Sequence, residues 1–376
     1  GLGDVKMSGV NISGQLLFAF MVMLNAICMA GGIFMTQFFG ANDRKGMQQT
    51  LCFKIIVAGA AIILYLYVCM VIPRQVLSLM VTGNRQAEAI LDQGEQYMFL
   101  MGFIGIPMTI STIIASSMRE IGQVKQPLII SVIATGVNTF FNWILIYGNL
   151  GAPRLEVRGA AYATIIARLV EMVLFLLLLA KKKQPFMISL NTLLHTDFHL
   201  FGRILRKGSL VLFSETLWVV SETVTTALYN GRGGADVVSG MASSFAIANL
   251  FFVAFGGITT STGVIIGQTL GKGKLDEARK QKNWMLSAAV VFGIFMTLMG
   301  LLTVPLVPVV FSNLSSASRS ICMRMVLMMA LFMPLWVYVN TQFAVSKAGG
   351  DTVMGAVVDG SVTIILVIPG IFIMAF

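Results

Sequence analysis

Charge is what this sequence has least of. Asp, Glu, Lys and Arg make up 11% of its 376 residues, against about a quarter in ordinary soluble domains. With 57% hydrophobic residues and a mean hydropathy of +0.86, that scarcity excludes a water-soluble globular protein and points to a polytopic membrane protein. Histidine is almost missing, with only His195 and His199 present, and the four cysteines show no C-x-x-C spacing. A haem site or a cysteine-histidine metal cluster is therefore not expected, and the cysteines read as small buried hydrophobes. There is no Walker A segment, no H-E-x-x-H and no G-x-S-x-G, so an ATP-driven pump or a membrane-embedded enzyme lacks its equipment.

What is present is a series of apolar blocks. An apolar run of about 20 residues crosses the hydrocarbon as a helix, and ten such blocks can be counted. Residues 1–12 read as a loop, the third block as 95–117, the sixth as 208–229 and the eighth as 284–311, with a short loop at 230–240. The net charge of +10 is not a nucleic-acid signal. Lys and Arg, Lys54 and Lys347 among them, collect in alternate loops, the pattern of a topology signal, which places the linker side in the cytoplasm of an inner (plasma) membrane. The chain starts in a loop and stops at the end of an apolar block, and since five crossings in each half would be an odd arrangement, further helices are expected at both ends.

The longest polar run, Lys181 to Lys207, separates two halves that echo each other. At an offset of 231, Gly9 pairs with Gly240, Phe20 with Phe251, Gly32 with Gly263, Gln37 with Gln268 and Gly40 with Gly271. Further on the offset becomes 228, pairing Arg119 with Lys347 and Gly122 with Gly350. Shared hydrophobicity does not place glycines in a fixed register. The expected organisation is an N-terminal lobe over 1–180, a cytoplasmic linker over 181–207 and a C-terminal lobe over 208–376, all helical and pseudo-symmetric.

Ionisable groups at membrane depth are costly unless they face protein or water, so they mark candidate sites. Glu215 and Glu222 lie seven residues apart, on nearly one face of the sixth block, and Thr225 continues the stripe. Carboxylates placed there can take up and release a proton or bind Na⁺; they are the candidate cation-coupling residues, a helix edge being the plainer alternative. Asn138 and Asn142, one turn apart, either glue helices or line a cavity. Asn340 and Asp359 are further cavity candidates. Arg168 and Glu171, at i and i+3, read as a structural pair. Pro107 and Pro334 read as kinks in related helices.

The motifs in order are Gln37…Gly40-Ala-Asn-Asp43, its second copy Gln268…Gly271, Arg119-x-x-Gly122-Gln-x-Lys-x-Pro127, Val137-Asn138-x-x-x-Asn142 and Lys347-Ala-Gly-Gly-Asp-Thr352. Together they resemble the multidrug and toxic compound extrusion (MATE) transporters over nearly the whole chain. That resemblance implies twelve helices in two six-helix lobes, of which this chain carries the counterparts of helices two to eleven. It also implies a secondary antiporter whose lobes rock about a central cleft, exporting amphipathic or cationic small molecules in exchange for H⁺ or Na⁺ without another cofactor.

Of the family's coupling residues, the acidic group of the seventh helix matches Glu215. The fifth-helix Asn matches Asn138, with Asn142 standing where an Asp is found. The tenth helix here offers only Asn340 and Arg324. A lipid-linked oligosaccharide flippase of the same architecture is the alternative, but it calls for several cavity cations, and only Arg168 and Arg324 lie deep. A membrane-embedded enzyme or a scaffold is the remote alternative. The expected partners are the lipid bilayer and the cargo, with no nucleic acid and with the protein as a monomer.

Overall fold

The structure, a computed structural model, describes residues 4–80, 87–232 and 234–375. Backbone crossing hydrocarbon must satisfy its own N–H and C=O groups, and helices do so within one segment. Every described element is accordingly helical. They are α1 (Asp4–Gly40), α2 (Arg44–Met70), α3 (Pro73–Met80), α4 (Ala87–Glu120), α5 (Lys125–Tyr147) and α6 (Glu156–Lys181). After these come α7 (Leu190–Leu194), α8 (Phe198–Arg232), α9 (Gly234–Gly271), α10 (Leu275–Thr303), α11 (Val307–Val310) and α12 (Ser316–Ala348). α13 (Val353–Val362) and α14 (Ile368–Ala375) follow, joined through a π-helical turn over Thr363–Val367.

Nine of the described helices or helix pairs are long and apolar enough to span a membrane. The sixth predicted block is helical as α8 but does not reach that mark, because Glu215, Glu222 and a run of Ser and Thr dilute it. Other boundaries move outward. Residues 4–12, expected as a loop, already belong to α1, and α8 begins at Phe198 inside the polar run rather than near Gly208. The expected loop at 230–240 shrinks to the junction of α8 and α9. Polar residues at a helix end bond to the backbone within the helix and so do not terminate it, whereas the hydropathy pattern sees only the apolar middle.

The chain divides into two compact units, one made of Gly1–Met35 with Asp43–Gly208, the other of Thr36–Asn42 with Ser209–Phe376. In the first, Phe20 of α1 stacks on Tyr65 of α2 at 4.2 Å between ring centroids. Gly159 of α6 lets that helix close on α5, since a Cβ there would lie 2.5 Å from the Leu145 carbonyl oxygen. In the second, Ala289 of α10 packs with Met333 and Val337 of α12, and Phe251 and Phe255 of α9 close over them. Pro334 interrupts α12 and, having no N–H, leaves the Ala330 carbonyl without its intrahelical donor. Thr297 of α10 supplies one, its Oγ1 donating to Ala330 O at 2.7 Å.

The sequence repeat reappears in the hydrogen bonding. Asn42 and Gly273, related by the offset of 231, both have positive φ, 56° and 73°. Ala41 N donates to Gln37 O at 3.0 Å, and Lys272 N to Gln268 O at 3.1 Å. Gly122 and Gly350, related by 228, have φ of 81° and 82°, and each donates to the carbonyl three residues back at 2.9 Å. These are matching helix stops, where a left-handed residue lets the chain turn back on the last carbonyls.

Candidate functional site

In the second unit two charged side chains from two helices meet, and a third lies within electrostatic reach of them. Glu215 stands on α8, Lys347 in the last turn of α12, and Asp359 on α13 after the tight turn at 349–352. Lys347 Nζ lies 3.7 Å from Glu215 Oε1, with both side chains half-buried. The lysine also acts electrostatically on Asp359, and its stem passes Gly355, where a Cβ would sit 4.0 Å from Lys347 Cε. Small residues set the approach of α13 to α8. A Cβ on Gly360 would lie 3.2 Å from Leu217 and 3.7 Å from Phe213. Glu215 therefore has an ammonium partner that the sequence pattern, counting Lys347 among loop cations, does not supply. Near 4 Å such a pair is loose enough for water or a small cation to compete.

Glu222, two turns further along α8, is half-buried and has no hydrogen bond or ion pair among the described residues. Thr225 bonds back into the helix, Oγ1 to Ser221 O at 2.8 Å. Asn340 is likewise turned onto its own helix, Nδ2 donating to Trp336 O at 2.9 Å.

Asn138 and Asn142 belong to the first unit. Asn142 Nδ2 donates to Asn138 Oδ1 at 2.9 Å, and Asn138 Nδ2 to Thr164 Oγ1 at 3.4 Å, tying α5 to α6. Arg168 is committed to Glu171 at 2.7 Å, and Ser131 donates to that carboxylate at 3.3 Å. It is thus not a free cavity cation.

One cluster escaped the sequence reading altogether. Lys54, grouped there with loop cations, is fully buried in α2. Its Nζ donates to both Glu120 oxygens at 2.8 and 2.6 Å, and to Ser116 and Ser117 at 3.2 and 3.3 Å. Ser116 in turn donates to Glu120 Oε1 at 2.5 Å. The backbone of α1 lies flat on this pair. A Cβ on Gly31 would come within 2.6 Å of Lys54 Cε, and one on Gly32 within 2.7 Å of Glu120 Oε1. The signal available in the sequence was a lone lysine between Cys52-Phe53 and Ile55-Ile56, well inside an apolar run.

The second unit also holds the Gln…Gly motifs. Gly40 packs on the Gln268 carbonyl and Gly271 on the Gln37 carbonyl, a reciprocal contact between the two copies. Gln37 Nε2 then donates to Ala348 O at 2.8 Å, reaching the end of α12 just beyond Lys347.

The MatE family model matches residues 1–144 and 211–373 of the chain. The chain belongs to the MatE family. Among relatives of this MatE chain, an uncharacterized transporter of Bacillus subtilis is 21% identical over 300 residues, covering 78% of the chain and 64% of its own length. A probable multidrug resistance protein NorM of Thermotoga maritima is 24% identical over 290 residues, covering 75% and 60%. The chain thus spans less than two thirds of these relatives. In fold it matches an outward-facing multidrug resistance MATE transporter at a TM-score of 0.85 and 18% identity, over all of this chain and 82% of the other. A Pyrococcus furiosus transporter of the MOP superfamily matches at 0.85 and 17%, with the same coverage. The MatE fold of two helical lobes, and its multi-pass membrane character, follow.

Proposed function

We propose that this chain forms part of a secondary antiporter that exports amphipathic or cationic compounds in exchange for H⁺ or Na⁺, by alternating access of its two lobes. The observation that carries this reading is Glu215, a half-buried carboxylate on α8 with a lysine ammonium 3.7 Å away. The Thermotoga relative is a probable multidrug resistance protein, which supports the class of cargo.

Glu215 is neutralised by Lys347 in the resting pair. A proton, a Na⁺ ion or a cationic cargo that enters competes with the lysine for that carboxylate, and Asp359 receives part of the displaced charge. Exchange then requires only that cargo and coupling ion favour different access states, because a ligand shifts an equilibrium by its differential affinity for the two states. Glu222, two turns deeper, offers a second carboxylate on the same path. In this reading the linker-bearing ends face the cytoplasm, the membrane is the inner one and the working unit is a monomer.

The test is transport in vesicles with an imposed pH or Na⁺ gradient, using ethidium as the probe. Glu215→Gln is expected to abolish gradient-driven ethidium movement while the protein still elutes as a folded species. Wild-type exchange in that variant removes Glu215 from the mechanism.

A further inference from the structure

The first turns of α4 and α12 hold equivalent places in the internal repeat but handle charge in opposite ways. In the first unit Arg74 on α3 is met by Glu88 at 2.9 Å, Asp92 at 2.8 Å and Glu95 at 3.6 Å, all from α4. At the offset of 228 those three acids become Ser316, Ser320 and Met323. Shifting the register by one, as Pro107 and Pro334 would have it, restores none of them, because no Asp or Glu occurs between Ser312 and Gly350.

In their place α12 carries Arg319 and Arg324, about 4 and 12 Å along the helix from its start. Neither guanidinium makes a hydrogen bond or an ion pair among the described residues. The carboxylate that does reach this end of α12, Asp236, is taken by Ser315 at 2.5 Å and Ser318 at 3.1 Å. Where the first unit closes on an ion cluster, the second keeps a groove of about 490 Å³. Its lining includes Arg319, Arg324, Ser316 and Ser320, together with the apolar Met323 and Leu327.

Two guanidiniums without an ion-pair partner among the described residues are costly at the edge of a hydrocarbon layer, and the cost is relieved when an anion comes to them. A phosphate fits the forked donors of arginine. A free phosphate would gain nothing from Met323 and Leu327, whereas a lipid brings acyl chains to cover them. We propose that this groove binds an acidic membrane phospholipid. Arg319 and Arg324 hold the phosphate oxygens, Ser316 and Ser320 add hydroxyl donors, and the acyl chains run along Met323 and Leu327.

The test is native mass spectrometry of the purified full chain with phosphatidylglycerol, phosphatidylcholine, or phosphatidylglycerol plus millimolar inorganic phosphate. Wild type is expected to retain phosphatidylglycerol about tenfold over phosphatidylcholine, with each arginine contributing near the headgroup level, and inorganic phosphate is expected not to displace it. Arg319→Gln with Arg324→Gln should erase the preference. So should Ser316→Glu with Ser320→Glu, which keeps both arginines but gives them the carboxylates the first unit has; this pair carries the test if the arginine variant does not fold. Equal retention of the two lipids by wild type overturns the proposal. An undiminished preference in the folded variants does so too, and displacement by inorganic phosphate alone assigns the groove to a soluble anion instead.

Discussion

Replacing Lys54 with Met isolates what a buried ion pair contributes to the first unit. The lysine side chain has 0% of its surface exposed and Glu120 10%, and the ammonium is within hydrogen-bonding distance of four oxygens. Methionine fills nearly the same stem volume against Gly31, so packing changes little. Charge changes completely. Glu120 stays buried with its hydroxyl donors but without the Lys54 ammonium, a loss of about 3–5 kcal/mol relative to the intact pair. The folded-to-unfolded ratio should fall by a factor of about 150 to 5,000. Removing both charges, Lys54→Met with Glu120→Met, takes away the orphaned carboxylate along with its partner and should return stability to within about 1 kcal/mol of wild type. Reversible unfolding of the purified protein in mixed SDS and mild detergent, followed by tryptophan fluorescence, measures all the variants of this cycle. If Lys54→Met alone costs under about 1 kcal/mol, or the double variant is as unstable as the single, the pair is not the buried, coupled unit that the geometry describes.

The exposed cluster provides the contrast. Asp92→Asn, beside an Arg74 side chain that is 43% exposed, should change stability by under about 1 kcal/mol, because solvent screens such pairs; a larger loss in the same assay would mean the cluster is sheltered. Thr297→Val keeps shape but removes the donor to the Ala330 carbonyl freed by Pro334. A loss of about 0.5–2 kcal/mol is expected in the unfolding titration. Thr297→Ser, which keeps the hydroxyl, should recover most of it, and equal losses in both would show that the hydroxyl is not the reason.

The sequence by itself determined the membrane class, the helical elements and the internal repeat. These follow from one-dimensional quantities: apolar length sets a span, and glycine or asparagine at a fixed offset marks each helix stop, as Asn42 with Gly273 and Gly122 with Gly350 illustrate. The Arg168–Glu171 and Asn138–Asn142 contacts were legible for the same reason, since residues one turn apart on a helix are neighbours wherever that helix goes.

Only the tertiary structure decided which charge meets which. Lys54 and Lys347 both looked like loop cations, yet one is sealed against Glu120 and the other reaches Glu215 from a helix 132 positions away. The long, flexible stem of lysine lets its charge sit several ångströms from its own backbone, so position in the chain does not say where the ammonium lies. Its place is set by which helices pack together, here because Gly31, Gly32, Gly355 and Gly360 allow close approach. The two arginines of α12 divide the same way: the sequence shows that the acids of α4 have no counterpart beside them, and only the packed helices reveal the groove they line.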